Sequence, residues 1–345
     1  MRVLVVNAGS SSLKLSLLDA DDRELWSSEL AAPRAVVDAD LVAAALAELP
    51  ATPDVAGHRI VHGGERFRKA VVVDEHVEAE LRELTALAPL HQPKSLAALD
   101  AVRRALPNVP EVACFDTAFH ATLPPEAATY ALPRAWRERY GVRRYGFHGL
   151  SHAYASRAAG DARRVVTCHL GAGASLCAVL EGRSVDTTMG FTPLEGLVMA
   201  TRSGSVDPGL LLWLQQHERL SVDEMAEALE HESGLLGLAG TADMRELLAR
   251  DDVDAELALG VYIHRLRAGI AAMVASLGGL DALVFTGGVG EGAARVRELA
   301  CAGLEHLGVG TPGSTVRVLT VRAREDLEIA RQARALLSSQ GLESL

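Results

Sequence analysis

The chain has little that would suit it to a nucleic acid, a membrane or an oxidising compartment. Its 345 residues carry a formal net charge of −11, so no global positive field gathers phosphate backbones or anionic lipids. Any phosphate affinity must come from local amides, lysine and arginine, and the expected ligand is small. There are four cysteines, Cys114, Cys168, Cys177 and Cys301, with no C-x-x-C pair. They read as buried free thiols in a reducing cytosol, without a disulfide or zinc framework. No run of about 18 apolar residues is apparent, and Met1 opens on a strand with no cleavable leader pattern before it. A soluble, cytoplasmic protein is the expectation. None of the glycine-rich turns fits G-x-x-x-x-G-K-[ST] or a full G-x-G-x-x-G in a βαβ unit, which removes the P-loop and Rossmann readings.

What is present is a duplicated turn. Strand-like Val3 to Val6 runs into Asn7-Ala-Gly-Ser-Ser-Ser-Leu-Lys14 and out through Leu15 to Leu18. Gly9 allows close backbone approach to an anion, Ser10 to Ser12 offer hydroxyls and amides, Lys14 a charge, and Asn7 an oxygen suited to a hydrated metal. An ordinary β-hairpin turn is the alternative. The pattern recurs where Arg164 to Leu170 leads into Gly171-Ala-Gly-Ala-Ser175 and out through Leu176 to Leu180. Two similar domains with a nucleotide in the cleft between their loops are therefore expected. A third turn, Thr286-Gly-Gly-Val-Gly-Glu-Gly292, follows an apolar run and precedes a helical pattern from Ala293 to Leu307, where backbone N–H groups would meet phosphate or ribose.

With 49% hydrophobic and 23% charged residues, the chain can bury two cores. Strand-like runs at Val71 to Val73, Val112 to Phe115, Val165 to Cys168, Leu283 to Phe285 and Val316 to Val321 alternate with helical stretches, a mixed α/β pattern. Asp207-Pro208 marks a helix start ahead of Leu210 to Gln216, and Ser221 to Glu224 spell a capping box. The longest helix is expected over Asp254 to Leu277, ended by Gly278-Gly279.

Three polar clusters stand out. Gly57 to Glu65 holds Arg59 and His62 around Ile60 and Val61; Arg59 is either a surface residue or a bidentate clamp for carboxylate or phosphate. Asp116 ends an apolar strand and either caps a helix or serves as a base or metal-positioning carboxylate. Arg202, alone among glycine and serine, is either an anion clamp or a partner of Asp207.

Together these blocks resemble the acetate kinases, the acetokinase family of the acetate and sugar kinase, Hsp70 and actin superfamily. The carriers are residues 7–14, 58–65, 88–91, 115–120, 145–149, 189–197, 201–204 and 285–291. The resemblance implies an α/β fold of two duplicated actin-like (ribonuclease H-like) domains, 1–147 plus 327–345 and 148–326. It implies reversible phosphoryl transfer from ATP to a short-chain carboxylate, giving an acyl phosphate and ADP. Acetate is the expected substrate; propionate, or a nucleotide-binding homologue weakened in turnover, are the alternatives. Asn7 and Glu325 would lie near Mg²⁺ (or Mn²⁺), and Ser10, Ser12 and Lys14 near the nucleotide phosphates. Arg59 would take the carboxylate, with Val61, Leu90, Phe147 and Pro193 around its methyl. His148 and Arg202 would stabilise the transferring group, and Asp116 would serve the metal, since an ionised carboxylate nucleophile needs no strong base. His169, Leu170, Gly171, Ala172, Gly173, then Asp243, Met244, Arg245, then Gly288, Val289, Gly290, Glu291 and Gly292 would embrace ATP. A homodimer is implied. Three departures from the family pattern are Ala172 where asparagine is usual, a shortened stretch before His58, and Arg322-Ala-Arg-Glu-Asp326 near the C-terminus, which leaves Glu325 and Asp326 both open as metal partner.

Overall fold

The computed structural model describes residues 1–9, 12–31, 37–88 and 92–339. The chain divides into two compact units: residues 1–121, 149–154 and 324–345 form the first, and residues 122–148 and 155–323 the second.

The first unit is built on a six-stranded sheet of β1 (Val3–Ala8), β2 (Ser12–Leu18), β3 (Glu24–Ala31), β4 (Val55–Ile60), β5 (Val71–Val72) and β6 (Glu111–Phe115). Its order is β3-β2-β1-β4-β6-β5. The hairpin β1–β2 is antiparallel, whereas β1, β4 and β6 run parallel. β1 reads as a continuous apolar run because both its faces are covered. Leu4 and Val6 join one core with Val42, Leu46, Ala98 and Val102, while Val3 and Val5 join another with Val112, Ile329, Ala333 and Leu337. The C-terminal helix Glu325–Ser339 supplies that second cover and comes close enough that a Cβ on Gly57 would meet Ile329 Cγ2 at 2.6 Å.

The second unit repeats the scheme with β7 (Arg164–Leu170), β8 (Ala174–Leu180), β9 (Arg183–Thr187), β10 (Ala282–Thr286) and β11 (Arg317–Thr320). The order β11-β10-β7-β8-β9 again has an antiparallel hairpin, β7–β8, beside parallel neighbours, β7–β10–β11. The fold is thus α/β with two duplicated actin-like domains. The Asp207 cap and the Ser221–Glu224 capping box form as their residues suggest. Two helices are shorter than the sequence pattern: Pro208–Trp213 gives way to a π turn over Leu214–Glu218, and Ala294–Cys301 is separated from the 3-10 turn Glu305–Leu307. The glycine-rich stretch before the latter is itself one short helix, Gly287–Gly292, not an open turn.

The helix Val253–Leu277 is long and apolar enough to cross a membrane by length and composition alone, although Asp254, Glu256, Arg265 and Arg267 leave it no run of 18 apolar residues. Its side chains Ala258, Tyr262, Leu266, Ile270 and Val274 are nonetheless buried, and a Cβ on Gly269 would meet Leu176 Cδ1 at 2.8 Å. It is the core helix of the second unit.

Candidate active site

Parallel strands deliver their last residues to one edge of a sheet, and in open α/β sheets that carboxyl edge is where ligands bind. In the first unit this edge gathers Asn7 from β1, Arg59 from β4 and Asp116 just past β6. Arg59 grips Asp116 in a bidentate pair, Nε donating to Oδ2 at 3.0 Å and Nη2 donating to the same oxygen at 2.6 Å. Its Nη1 donates to Asn7 Oδ1 at 3.3 Å and to Ala8 O at 3.5 Å. The Asn7 amide in turn donates to Glu325 Oε2 at 2.9 Å. Residues far apart in sequence thus form one polar group of a guanidinium, two carboxylates and an amide.

The electrostatics follow from burial. Asp116 is 1% exposed; desolvation raises its carboxyl above the usual range and the Glu325 charge adds to this, while Arg59 opposes. Burial also acts against the charge on Arg59, but Asp116 and Glu325 outweigh it and hold the guanidinium charged. Asp116 is therefore an ion-pair partner, not a helix cap, and its backbone O accepts from Gly149 N at 2.9 Å. Of the two acids near the C-terminus, Glu325 faces Asn7, whereas Asp326 is engaged by Arg324 at 2.7 Å. Lys94 reaches the same turn, its Nζ donating to Gly9 O at 2.6 Å.

Ser12 and Lys14 return from the same turn on β2, Gly9 N donating to Ser12 O at 2.9 Å. Strand pairing sets Lys14 opposite both Asn7 and Glu29. Ser12 Oγ donates to Glu29 at 2.7 Å, and Lys14, well exposed, pairs with that same carboxylate at 4.0 Å. Val61 is buried. Ser10 and Leu90 lie outside the described residues. Buried His62 has its imidazole lowered to about 4 by desolvation, and its Nδ1 accepts from Gly64 N at 2.9 Å.

In the second unit a complementary group forms around Gly173. A Cβ there would stand 3.3 Å from both Arg202 Nη1 and His148 Nε2. His148 adopts a left-handed backbone, φ 57°, unusual for a residue with a side chain. Its Nδ1 lies 2.9 Å from Ser175 Oγ, and its ring stacks on His169 at 4.4 Å between centroids. Arg202 does not pair with Asp207, which instead caps its own helix by accepting from Gly209 N. Arg202 Nη1 donates to Pro193 O at 3.2 Å, and burial lowers its guanidinium from the ordinary value. The second and third glycine turns also meet within this unit: a Cβ on Gly287 would strike Leu170 O at 2.7 Å. Glu291 turns back on its own helix, Oε1 accepting from Gly287 N at 3.1 Å and from Ala323 N at 2.8 Å. Asp243 caps the helix Met244–Leu248 and is lowered to about 2 by Arg245. Ala172 is exposed, and its carbonyl accepts from Ala200 N at 3.1 Å. Gly288 and Gly292 have open space where a Cβ would be.

The acetokinase family profile matches residues 34–325. The chain belongs to the acetokinase family. Among its relatives, the acetate kinase of Clavibacter sepedonicus is 44% identical over 389 aligned positions, covering 96% of this chain and 98% of that protein. That alignment is longer than the 345 residues here, so the relative carries insertions that this chain lacks. Among solved structures, Porphyromonas gingivalis acetate kinase superposes with a TM-score of 0.88 at 34% identity, covering 97% of this chain and 99% of that one. A propionate kinase from Francisella tularensis subsp. tularensis SCHU S4 gives 0.86 at 32% identity, covering 96% and 98%.

One group in this family member escaped the sequence reading. Arg144 Nη2 donates to Glu195 Oε1 at 2.8 Å and its Nη1 to the carbonyls of Thr188 and Met189 at 3.1 and 3.0 Å, while Tyr130 Oη donates to Glu195. Phe191 N donates to Tyr130 Oη at 3.0 Å. This latch fixes the loop that carries Pro193, and hence the carbonyl that holds Arg202. Its only signal in sequence is Glu195 inside an otherwise uncharged stretch. Gly190 is required because a Cβ would collide with both Glu195 and Tyr130.

Proposed function

We propose that this chain acts as an acetate kinase, catalysing reversible, Mg²⁺-dependent phosphoryl transfer between ATP and acetate to give acetyl phosphate and ADP. The observation that carries the reading is the buried Arg59–Asp116 pair with Asn7 and Glu325 at the carboxyl edge of a parallel sheet. It combines a cation for a carboxylate with hard oxygen donors for a metal.

Phosphoryl transfer asks mainly for positioning and for charge on the transferring oxygens. Arg59, already oriented by Asp116, receives the acetate carboxylate, with Val61, Leu90, Phe147 and Pro193 as the small apolar wall. His148 and Arg202 stabilise the group in flight. His169 to Gly173, Asp243 to Arg245 and Gly288 to Gly292 hold the nucleotide, and Ser10, Ser12 and Lys14 serve its phosphates once Ser12 and Lys14 exchange Glu29 for them. Asp116 orients and does not abstract a proton, because the nucleophile is ionised at neutral pH.

The donor set fits Mg²⁺, which takes one or two carboxylates beside waters and phosphate oxygens. Asn7 and Glu325 would hold it, with Asp116 behind them; Mn²⁺ would substitute. Among the described residues no three His, Cys, Asp or Glu side chains form a cage, in keeping with a metal that arrives on the nucleotide. When bound, the ion neutralises phosphate charge. Acetate is preferred to propionate because relatives 40–48% identical to the chain are acetate kinases. A homodimer is supported by exposed Leu210, Leu212 and Trp213 on one short helix of the second unit. A cytoplasmic setting is supported by Cys114, Cys168, Cys177 and Cys301, all free thiols.

The test is trapping of the acyl phosphate with hydroxylamine, using acetate, propionate and butyrate with ATP and Mg²⁺. Acetate should give the highest kcat/KM. A preference for propionate would change the substrate, and no hydroxamate from any of the three would leave a nucleotide-binding protein without turnover.

A further inference from the structure

Residues 188–207 run from the end of β9 to the helix Pro208–Trp213 without forming helix or strand. Such a segment has no backbone ladder along its length, so its shape depends on individual tethers. Pro193 and Arg202, both assigned above to the reaction, lie in it. Arg202 Nη1 donates to Pro193 O at 3.2 Å and lies 3.7 Å from Met199 Sδ. The position of the guanidinium therefore follows that of the Pro193 carbonyl.

The turn that carries this carbonyl is pinned at both ends through backbone. Gly190 O accepts from Tyr145 N at 3.0 Å and from Gly146 N at 3.2 Å, while Gly196 O accepts from Ser205 N at 3.0 Å and Gly196 N donates to Ser205 Oγ at 3.1 Å. Between these pins, one hydroxyl ties the two limbs together. Tyr130 Oη accepts from Phe191 N at 3.0 Å and donates to Glu195 Oε2. The bonds within the turn are longer, Gly190 N to Thr192 O and Leu194 N to Thr192 Oγ1, each 3.3 Å. Arg144 takes the other carboxylate oxygen of Glu195 at 2.8 Å, and its guanidinium lies 5.4 Å from the centroid of the Tyr130 ring. Glu195 is thus matched in charge by Arg144, and the Tyr130 hydroxyl serves geometry rather than charge balance. Burial, and after it the bond to Glu195, raises the phenol above its ordinary range, so the hydroxyl remains a donor at neutral pH.

We propose that Tyr130 is a positioning residue for phosphoryl transfer: by joining Phe191 N to Glu195 across the turn, it sets where Pro193 O holds Arg202, and so where the Arg202 charge meets the transferring group. The proposal rests on the kinase reading above. It adds a residue that acts through Arg202 and belongs to neither the acetate nor the nucleotide contacts. A misplacement of about 1 Å can cost about a hundredfold in rate, and a turn that loses its cross-tie but keeps both pins should lose about tenfold.

The experiment is a double-mutant cycle in the full chain. Tyr130→Phe and Glu195→Gln are made in the wild-type and the Arg202→Ala backgrounds, and kcat and both KM values are measured with acetate and ATP, with the thermal midpoint of each variant. Phenylalanine removes the cross-tie and leaves Glu195 with Arg144. Each variant should lower kcat about tenfold in the wild-type background but less than about twofold in Arg202→Ala, with the ATP KM moving less than about twofold in both. A merely structural tie would lower kcat by the same factor in the two backgrounds, or lower the thermal midpoint with kinetics untouched; either result overturns the proposal. Should Glu195→Gln fail to fold, Tyr130→Phe carries the same requirement. Should Arg202→Ala turn over too slowly to follow, Arg202→Lys serves as the second background on the same terms. If the wild type forms no acyl phosphate, the kinase reading falls and this inference with it. If the wild type is active, Arg202→Ala is impaired and the two effects simply multiply, this inference alone is wrong.

Discussion

Replacing Arg59 by methionine strands Asp116. The carboxylate is 1% exposed, loses the bidentate partner at 2.6 and 3.0 Å, and retains Glu325 as a repulsive neighbour. Removing one partner of a buried pair costs about 3–5 kcal/mol when the other remains charged. The folded protein can escape part of this by protonating Asp116, whose carboxyl is already raised by burial. The sign is fixed by linkage: a carboxyl with a folded pKa above its unfolded one gives stability present at low pH and lost as pH rises through the folded pKa. The deficit of Arg59→Met relative to wild type should therefore be largest at pH 8. It should shrink towards pH 5 by about 1.4 kcal/mol per pH unit over which Asp116 is protonated only in the folded chain. Urea midpoints at pH 5, 6.5 and 8 measure it, and titration of other groups cancels in the difference. The double variant Arg59→Met/Asp116→Asn should regain most of the stability without regaining activity, because the clamp for acetate is gone. A deficit independent of pH, or a double variant as unstable as the single one, would refute the reasoning.

Arg202→Ala should lower kcat at least about tenfold, more than 1.4 kcal/mol of transition-state stabilisation, with ATP affinity nearly unchanged; retention of most turnover would leave Arg202 a tether for Pro193 O. Glu325→Gln should raise the Mg²⁺ concentration for half-maximal activity about tenfold, whereas Asp326→Asn should change it less than about twofold, and the reverse order would assign the metal to the wrong acid. Ala172→Asn adds an amide at an exposed loop position and should improve ATP KM or kcat between a few-fold and about a hundredfold, read by kinetics on both proteins. His62, lowered to about 4, contributes stability that is complete above about pH 6.5 and declines as pH falls towards 4, by about 3 kcal/mol at most; His62→Gln should flatten that part of the stability profile.

The duplicated fold was legible because each half repeats a local pattern, an apolar strand, a glycine turn and a returning strand, which needs no knowledge of the rest of the chain. Asn7, Arg59 and Asp116 were legible because each is a polar residue at the end of an apolar strand. What could not be read was convergence. Whether Asp116 caps a helix or grips Arg59 depends on packing of segments 57 residues apart, and whether Glu325 or Asp326 faces Asn7 on segments 318 apart. Ser12 and Lys14 were legible as residue types that suit phosphate, whereas the β-pairing that brings both to Glu29 was not. Lys94 was invisible because a lysine in an amphipathic pattern reads as solvated, and only the placement of its helix buries it. The Tyr130–Arg144–Glu195 latch was missed for a similar reason: its members belong to three separate segments.

The C-terminal helix gives the protein an order of manufacture. Ile329, whose carbonyl lies 3.9 Å from Cys114 Sγ, emerges from the ribosome 215 residues after that cysteine. At roughly 5–20 residues per second, the sheet of the first unit waits on the order of ten to forty seconds with Val3, Val5 and Val112 uncovered. The same late helix brings Glu325 to Asn7. A nascent chain thus keeps that face of the sheet open to chaperones and proteases until the helix Glu325–Ser339 has emerged, and the bond between Asn7 and Glu325 forms only then.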